Sequence, residues 1–185
     1  RSLCDWSSDV CSSDLVAKLL YLSKRGRPDI ALAVSYLCTR VQNPTIEDES
    51  KLTRVLGYLS STIDKTRIIT KDENEGLKLT AYIDAAFSAH EDGKGQSGGA
   101  IFVGSTLVDL VTRKQKCASR DSTEAELIAL SDLTTDVEWH KEWFENQEYK
   151  MDMPTIFQDN TSTITLVTSA TPGKMRNKHL RALRA

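Results

Sequence analysis

The chain has 185 residues, 39% hydrophobic and 27% charged, with a formal net charge of −2. These are ordinary globular values; they exclude a collagen-like or strongly charged disordered chain and leave room for one domain plus a smaller appendage. No run of about 18 apolar residues occurs, and the start lacks the basic-then-apolar pattern of a secretory signal. A soluble, intracellular protein with no membrane partner is expected.

The first residues are read separately. Asp5 to Leu15 spells DWSSDVCSSDL, which matches a widely used sequencing adaptor translated in one frame. Residues 1–15 are therefore taken as an adaptor artefact and set aside, since such scars masquerade as structure; the plainer reading is a Ser/Asp-rich N-terminus. The segment holds Arg1, Asp5, Asp9 and Asp14, so without it the 24 bases and 26 acids come into balance. A neutral domain has no general pull on nucleic acid, and any such binding must come from local patches. Of the four cysteines only Cys38 and Cys117 then remain, far apart. That excludes a disulfide framework or a Cys-based zinc site and suits a reducing compartment.

Residues 16–62 read as helical. Pro28 stands where a helix begins, and Ile30, Val34, Leu37 and Val41 follow at helical spacing. Asn43-Pro44 ends that helix; Leu52, Val55, Leu56 and Leu59 mark a second, with Thr45 and Asp48 as start signals. Residues 63–76 are polar and charged, the composition of a linker. From Leu77 the period becomes two: Leu77, Leu79, Ala81 and Ile83 share one face of a strand, and Lys78, Thr80, Tyr82 and Asp84 the other. A Gly-rich loop is expected at Gly93, Gly95, Gly98 and Gly99. Two strands joined by a Gly104-Ser105 hairpin follow, at Ala100 to Val103 and Leu107 to Thr112. Ser122 to about Asn146 reads as a long helix, Pro154 to Gln158 as a short strand and Thr161 to Ser169 as a short helix. The order is βββαβα.

Three acids fall at element ends: Asp84 closes the first strand, Glu126 lies in the first turn of the long helix, and Asp159 closes the fourth strand. Taken singly, each has a plainer use. A strand-end Asp serves a turn, Glu126 completes a capping box with Thr123, and Asp159 caps the next helix.

The words around these acids change the reading. Leu19-Leu20-Tyr21-Leu22, Arg27-Pro28-Asp29-Ile30 with Ala33-Val34, and Tyr58-Leu59 with Thr62 resemble the tail of a copia-type reverse transcriptase. Tyr82-Ile83-Asp84-Ala85 resembles the first ribonuclease H motif of that family, and Ser122-Thr123-Glu124-Ala125-Glu126 before Leu127-Ile128-Ala129-Leu130 the second. Gln158-Asp159-Asn160 resembles the third and Asn177-Lys178-His179-Leu180 the start of the last, while Lys114-Gln115 also fits. Each word is weak alone; their order and spacing together are specific. From Lys18 onward the chain resembles the copia-type (Pseudoviridae-like) retrotransposon Pol polyprotein.

The resemblance implies an α/β, ribonuclease H-like mixed sheet over residues 77–185, preceded by the helical C-terminal part of a reverse transcriptase over 16–62. It implies endonucleolytic hydrolysis of the RNA strand of RNA–DNA hybrids during reverse transcription, with Asp84, Glu126 and Asp159 as catalytic metal ligands. Clustered carboxylates repel one another, and hard divalent cations relieve this. Two Mg²⁺ ions about 4 Å apart, with Mn²⁺ as substitute, would activate a water and stabilise the leaving oxygen. Glu124 and Glu126 point about 200° apart on a helix, so only one faces the site. The family places its glutamate directly before an apolar run, which selects Glu126 and leaves Glu124 as an auxiliary that supports the helix start. Ser97, Gln115, Asn160 and Lys178 are candidates for substrate contact, and His179 for an auxiliary role. Lys174, Arg176, Arg181 and Arg184 complete a basic tail. The implied partners are the hybrid and the rest of the Pol polyprotein, reverse transcriptase and integrase. The implied location is a cytoplasmic virus-like particle or the nucleus.

The pattern departs from the family in three places. Ala86 replaces a second acid of the first motif, Arg181 stands where the last motif carries a fourth metal-binding aspartate, and the closing helix is expected to be truncated. A guanidinium at that position opposes a cation, so activity is expected to be impaired. The alternatives are a catalytically inactive hybrid-binding domain and a decayed element fragment.

Overall fold

The computed structural model describes residues 9–70 and 77–169. The chain divides into two compact units, Arg1–Ile68 and Ile69–Ala185. Among the described residues no helix is long and apolar enough to cross a membrane.

The first unit holds three helices: α1 (Asp9–Arg25), α2 (Ala31–Arg40) and α3 (Ile46–Ser61), with a 3₁₀ turn at Pro28–Ile30 ahead of α2. Helix α1 extends back into the segment that resembles an adaptor. Leu15 packs against the core, and Asp14 pairs with Lys18 one turn on. Pro28, with φ preset and no N–H to satisfy, opens the 3₁₀ turn. Helix α3 starts at a capping box: the Thr45 hydroxyl accepts from the Asp48 N–H, and the Asp48 carboxylate accepts from the Thr45 N–H. The apolar stripes meet in one core of Val16, Leu19, Ile30, Val34, Leu37, Leu52 and Val55. Arg27 ties the α1–α2 connection to the end of α3. It donates two hydrogen bonds to Asp29 (3.1 and 2.9 Å) and two more to the carbonyl and hydroxyl oxygens of Thr62.

The second unit is mixed α/β. Its described elements run β1 (Leu79–Ala86), β2 (Lys94–Val103), β3 (Thr106–Ala118), α4 (Ser122–Asn146), β4 (Thr155–Phe157) and α5 (Thr161–Ser169). The strands form one sheet in the order β3-β2-β1-β4, antiparallel except for the parallel pair β1 and β4. The period of two in β1 appears as alternating burial, with Leu79, Ala81 and Ile83 inward and Tyr82 and Asp84 outward. Helix α4 buries Ala129, Leu130, Leu133 and Val137 in two clusters with Leu79, Ala81, Ile83, Ile101 and Val111 of the sheet.

The Gly-rich stretch corrects the sequence reading, because Gly95, Gly98 and Gly99 lie inside β2 and only Gly93 lies in the turn before it, at φ 72°. Pairing with strands on both sides overrides the low strand propensity of glycine. The glycines serve close approach: a β-carbon at Gly95 would lie 2.5 Å from the Gln115 side-chain oxygen and 2.8 Å from the Ala86 carbonyl. Strand β3 also runs to Ala118, six residues beyond the stretch that alternation marked.

Candidate metal centre

The site follows from register. In the parallel pair Tyr82 lies opposite Phe157, and their rings stack at 5.0 Å. Neither acid closes its strand as expected: β1 runs two residues past Asp84 to Ala86, and β4 ends two residues before Asp159, yet the pairing brings the two acids together near the carboxyl ends of β1 and β4. Helix α4 supplies the third group. Asp121 caps its N-terminus by accepting from the Glu124 N–H at 2.8 Å. Glu126, expected in the first turn, is the fifth residue of the helix and so in its second; it points inward and is only 6% exposed. One carboxylate oxygen from each of Asp84, Glu126 and Asp159 lies within 4.8 Å of the others.

The two glutamates of the motif separate as helix geometry requires. Glu124 turns away from the cluster and accepts the Arg120 N–H at 2.8 Å, which supports the helix start. Glu126 accepts a hydrogen bond from Gln158 Nε2 at 3.0 Å. Its carboxyl is held above the ordinary glutamate range, first by burial and then by the charges of Asp84 and Asp159, against the opposing bonds from Gln158 and the Ala85 N–H. The Asp84 carboxylate accepts the Ala85 N–H at 2.8 Å, which fixes it at the strand end.

These donors fit a hard divalent cation. All three are carboxylates, two are exposed and open to a ligand, and the third is buried against like charge that a cation would offset.

The sequence-derived contact residues are placed differently. Ser97 is fully buried and Gln115 is 2% exposed. Gln115 Nε2 donates to Ser97 Oγ at 3.1 Å and to the Ala125 carbonyl at 2.9 Å, so the pair braces β2, β3 and α4 from inside and does not reach the surface. Asn160 uses its side-chain oxygen to accept the Thr163 N–H at 3.0 Å, at the start of α5. Lys178, His179 and Arg181, with the rest of the basic tail, lie outside the described residues, as do residues 71–76 of the expected linker. The sequence reading assigned no role to Gln158. It opens the third motif word, Gln158-Asp159-Asn160, but the word does not say what its side chain does; the tertiary contact with Glu126 does.

No family model matches the chain. Among curated proteins, it is 32% identical over 126 residues to an uncharacterized mitochondrial protein of Arabidopsis thaliana, a match that covers 68% of this chain and 51% of that protein. It is equally similar, at 32% over 126 residues, to the retrovirus-related Pol polyprotein from transposon RE2 of Arabidopsis thaliana, of which it spans 8%. It is 27% identical over 155 residues to the retrovirus-related Pol polyprotein from transposon TNT 1-94 of Nicotiana tabacum, covering 83% of this chain and 11% of the polyprotein. The chain thus spans about half of the first relative and a small share of the polyproteins. The motif words, their order and these similarities agree: the chain's homologues are the retrovirus-related Pol polyproteins of copia-type transposons and a transposon-derived protein.

Proposed function

We propose that the second unit is a ribonuclease H-like domain that hydrolyses the RNA strand of RNA–DNA hybrids during retrotransposon reverse transcription. The observation that carries this reading is the convergence of Asp84, Glu126 and Asp159, from two parallel strand ends and a helix, within 4.8 Å. The strand order, with the β1 and β4 termini adjacent, supports the same fold. The first unit is read as the helical end of the reverse transcriptase.

Asp84, Glu126 and Asp159 would hold the divalent cations, Mg²⁺ or Mn²⁺. Bound there, such ions supply the Lewis acidity that activates a water and stabilises the leaving 3′ oxygen. The chain itself contributes position. The Ala85 N–H holds Asp84, and Gln158 holds Glu126, so the carboxylates need little rearrangement to receive their ligand. No side-chain nucleophile is needed. Discrimination of RNA from DNA would rest on the 2′-hydroxyls along the minor groove, with the DNA strand held by its phosphates.

The test uses the full chain with a hybrid labelled on its RNA strand. Cleavage is expected with Mg²⁺ or Mn²⁺, none with EDTA, and none on an all-DNA duplex. Asp84→Asn should lower the rate at least about 100-fold, because a ligand of this kind carries several kcal/mol of transition-state stabilisation. Undiminished cleavage by Asp84→Asn would overturn the reading.

A further inference from the structure

We propose that Gln158 is a positioning residue of the carboxylate centre, whose side-chain amide sets the orientation in which Glu126 faces Asp84 and Asp159. The proposal rests on the reading of that centre as a cation site.

Gln158 lies between the last residue of β4 and Asp159, and both ends of its amide are engaged. Nε2 donates to Glu126 Oε2 at 3.0 Å, and Oε1 accepts the Asn160 N–H at 3.1 Å. A flipped amide would set its oxygen against a carboxylate and its NH₂ against an N–H donor, losing both bonds. The Asn160 N–H therefore fixes Gln158 as a donor toward Glu126. Asn160 is fixed in turn through the Thr163 N–H and the backbone bond from Ile164 to its carbonyl. The start of α5 thus acts as an anchor for one carboxylate oxygen on α4.

The arrangement matters because of where the three acids originate. Asp84 stands in β1 and Asp159 two residues past the end of β4, so the register of the paired strands brings them together. Glu126 comes from a helix, on a side chain with three rotatable bonds; β1 meets its carboxylate through the Ala85 N–H, and the Gln158 amide supplies a second, side-chain bond from the segment after β4 that carries the neighbouring acid. A charge-assisted hydrogen bond from the residue beside Asp159 links the helical ligand directly to the strand ligand. Outer partners of this kind orient ligands, and their loss typically costs about 10- to 100-fold in metal affinity or activity.

The experiment compares the full chain with Gln158→Met, which keeps the stem and removes the amide, and Gln158→Asn, whose amide is one methylene too short to reach Glu126. Mn²⁺ binding is measured by electron paramagnetic resonance without nucleic acid. Melting is measured in EDTA, and hybrid cleavage is resolved into kcat and KM. Both variants should bind Mn²⁺ about 10- to 100-fold more weakly, with unchanged metal-free melting and unchanged KM for hybrid, and raising Mn²⁺ should recover kcat. Wild-type Mn²⁺ affinity in either variant would overturn the proposal. So would a loss of affinity that only tracks a lowered metal-free melting temperature in both. If the parent chain binds no more Mn²⁺ than Asp84→Asn does, the cation reading itself fails and this proposal falls with it. If the parent binds and both variants match it, only the role of Gln158 fails.

Discussion

Gly99 on β2 and Leu133 on α4 lie so close that a β-carbon at residue 99 would sit 2.9 Å from Leu133 Cδ1. Leu133 is 1% exposed and belongs to the cluster with Ile83, Val111, Ala129 and Leu130, so it has little room to yield. Gly99→Ala should therefore destabilise the second unit by about 1–3 kcal/mol, the usual cost of overpacking a filled core. In a Leu133→Ala background the same substitution should cost much less. Urea denaturation of the four proteins checks this, and equal costs in both backgrounds would show that the glycine serves something other than helix approach.

Glu124 and Glu126 should separate cleanly in function. Glu126→Gln removes a charge that burial and two neighbouring carboxylates disfavour, so metal-free melting should stay level or rise. It should also abolish the Mn²⁺-dependent rise in melting and lower hybrid cleavage at least about 100-fold. Glu124→Gln loses only a charged acceptor for the Arg120 N–H and should cost about 1 kcal/mol or less, with cleavage retained. Thermal melts with and without Mn²⁺, run beside the cleavage assay, distinguish the two. Loss of cleavage in Glu124→Gln with retention in Glu126→Gln would reverse the assignment.

Acid should loosen the first unit through Asp29. Hydrogen bonds from Arg27 hold its carboxyl well below the ordinary aspartate range, against the opposing effect of burial and with help from Tyr58. A folded-state value below the unfolded one means the stabilisation is fully present above the unfolded aspartate pKa of about 3.9. It is lost as pH falls below that value toward the folded one. Asp48, 2% exposed and also shifted downward despite burial through its bonds with Thr45 and Arg40, adds in the same direction. Asp29→Asn should be less stable than the parent near neutrality but lose less between about pH 4 and pH 2. Chemical denaturation across that range measures both slopes; parallel slopes would remove Asp29 from the account.

Much of the fold was legible in the sequence because it depends on local rules. The stripe from Ile30 to Val41, the Thr45 and Asp48 start signals and the alternation from Leu77 to Asp84 each report a period or a cap. The long helix from Ser122 was legible for the same reason. Local rules failed at β2, where glycines read as a loop. Its strand exists because β1 and β3 satisfy its backbone on both sides and because α4 needs the space a side chain would take.

The site divides along the same line. The motif words singled out Asp84, Glu126 and Asp159, and the 200° offset on a helix separated Glu126 from Glu124. Their meeting is a matter of tertiary structure, since it needs β4 to pair in parallel with β1 at the register of Tyr82 and Phe157, residues 75 positions apart. Ser97 and Gln115 sit at motif-like positions, yet only the packing of β2, β3 and α4 decided that they point inward. Gln158 shows the same limit, because its partner Glu126 lies 32 residues earlier and no local pattern encodes that contact. Sequence alone determined which side chains carry charge and which face of each element they occupy, because side-chain chemistry and backbone period are local. Register, close packing and the choice of hydrogen-bond partner were decided by the folded chain, because they are set between segments that meet only when the core forms.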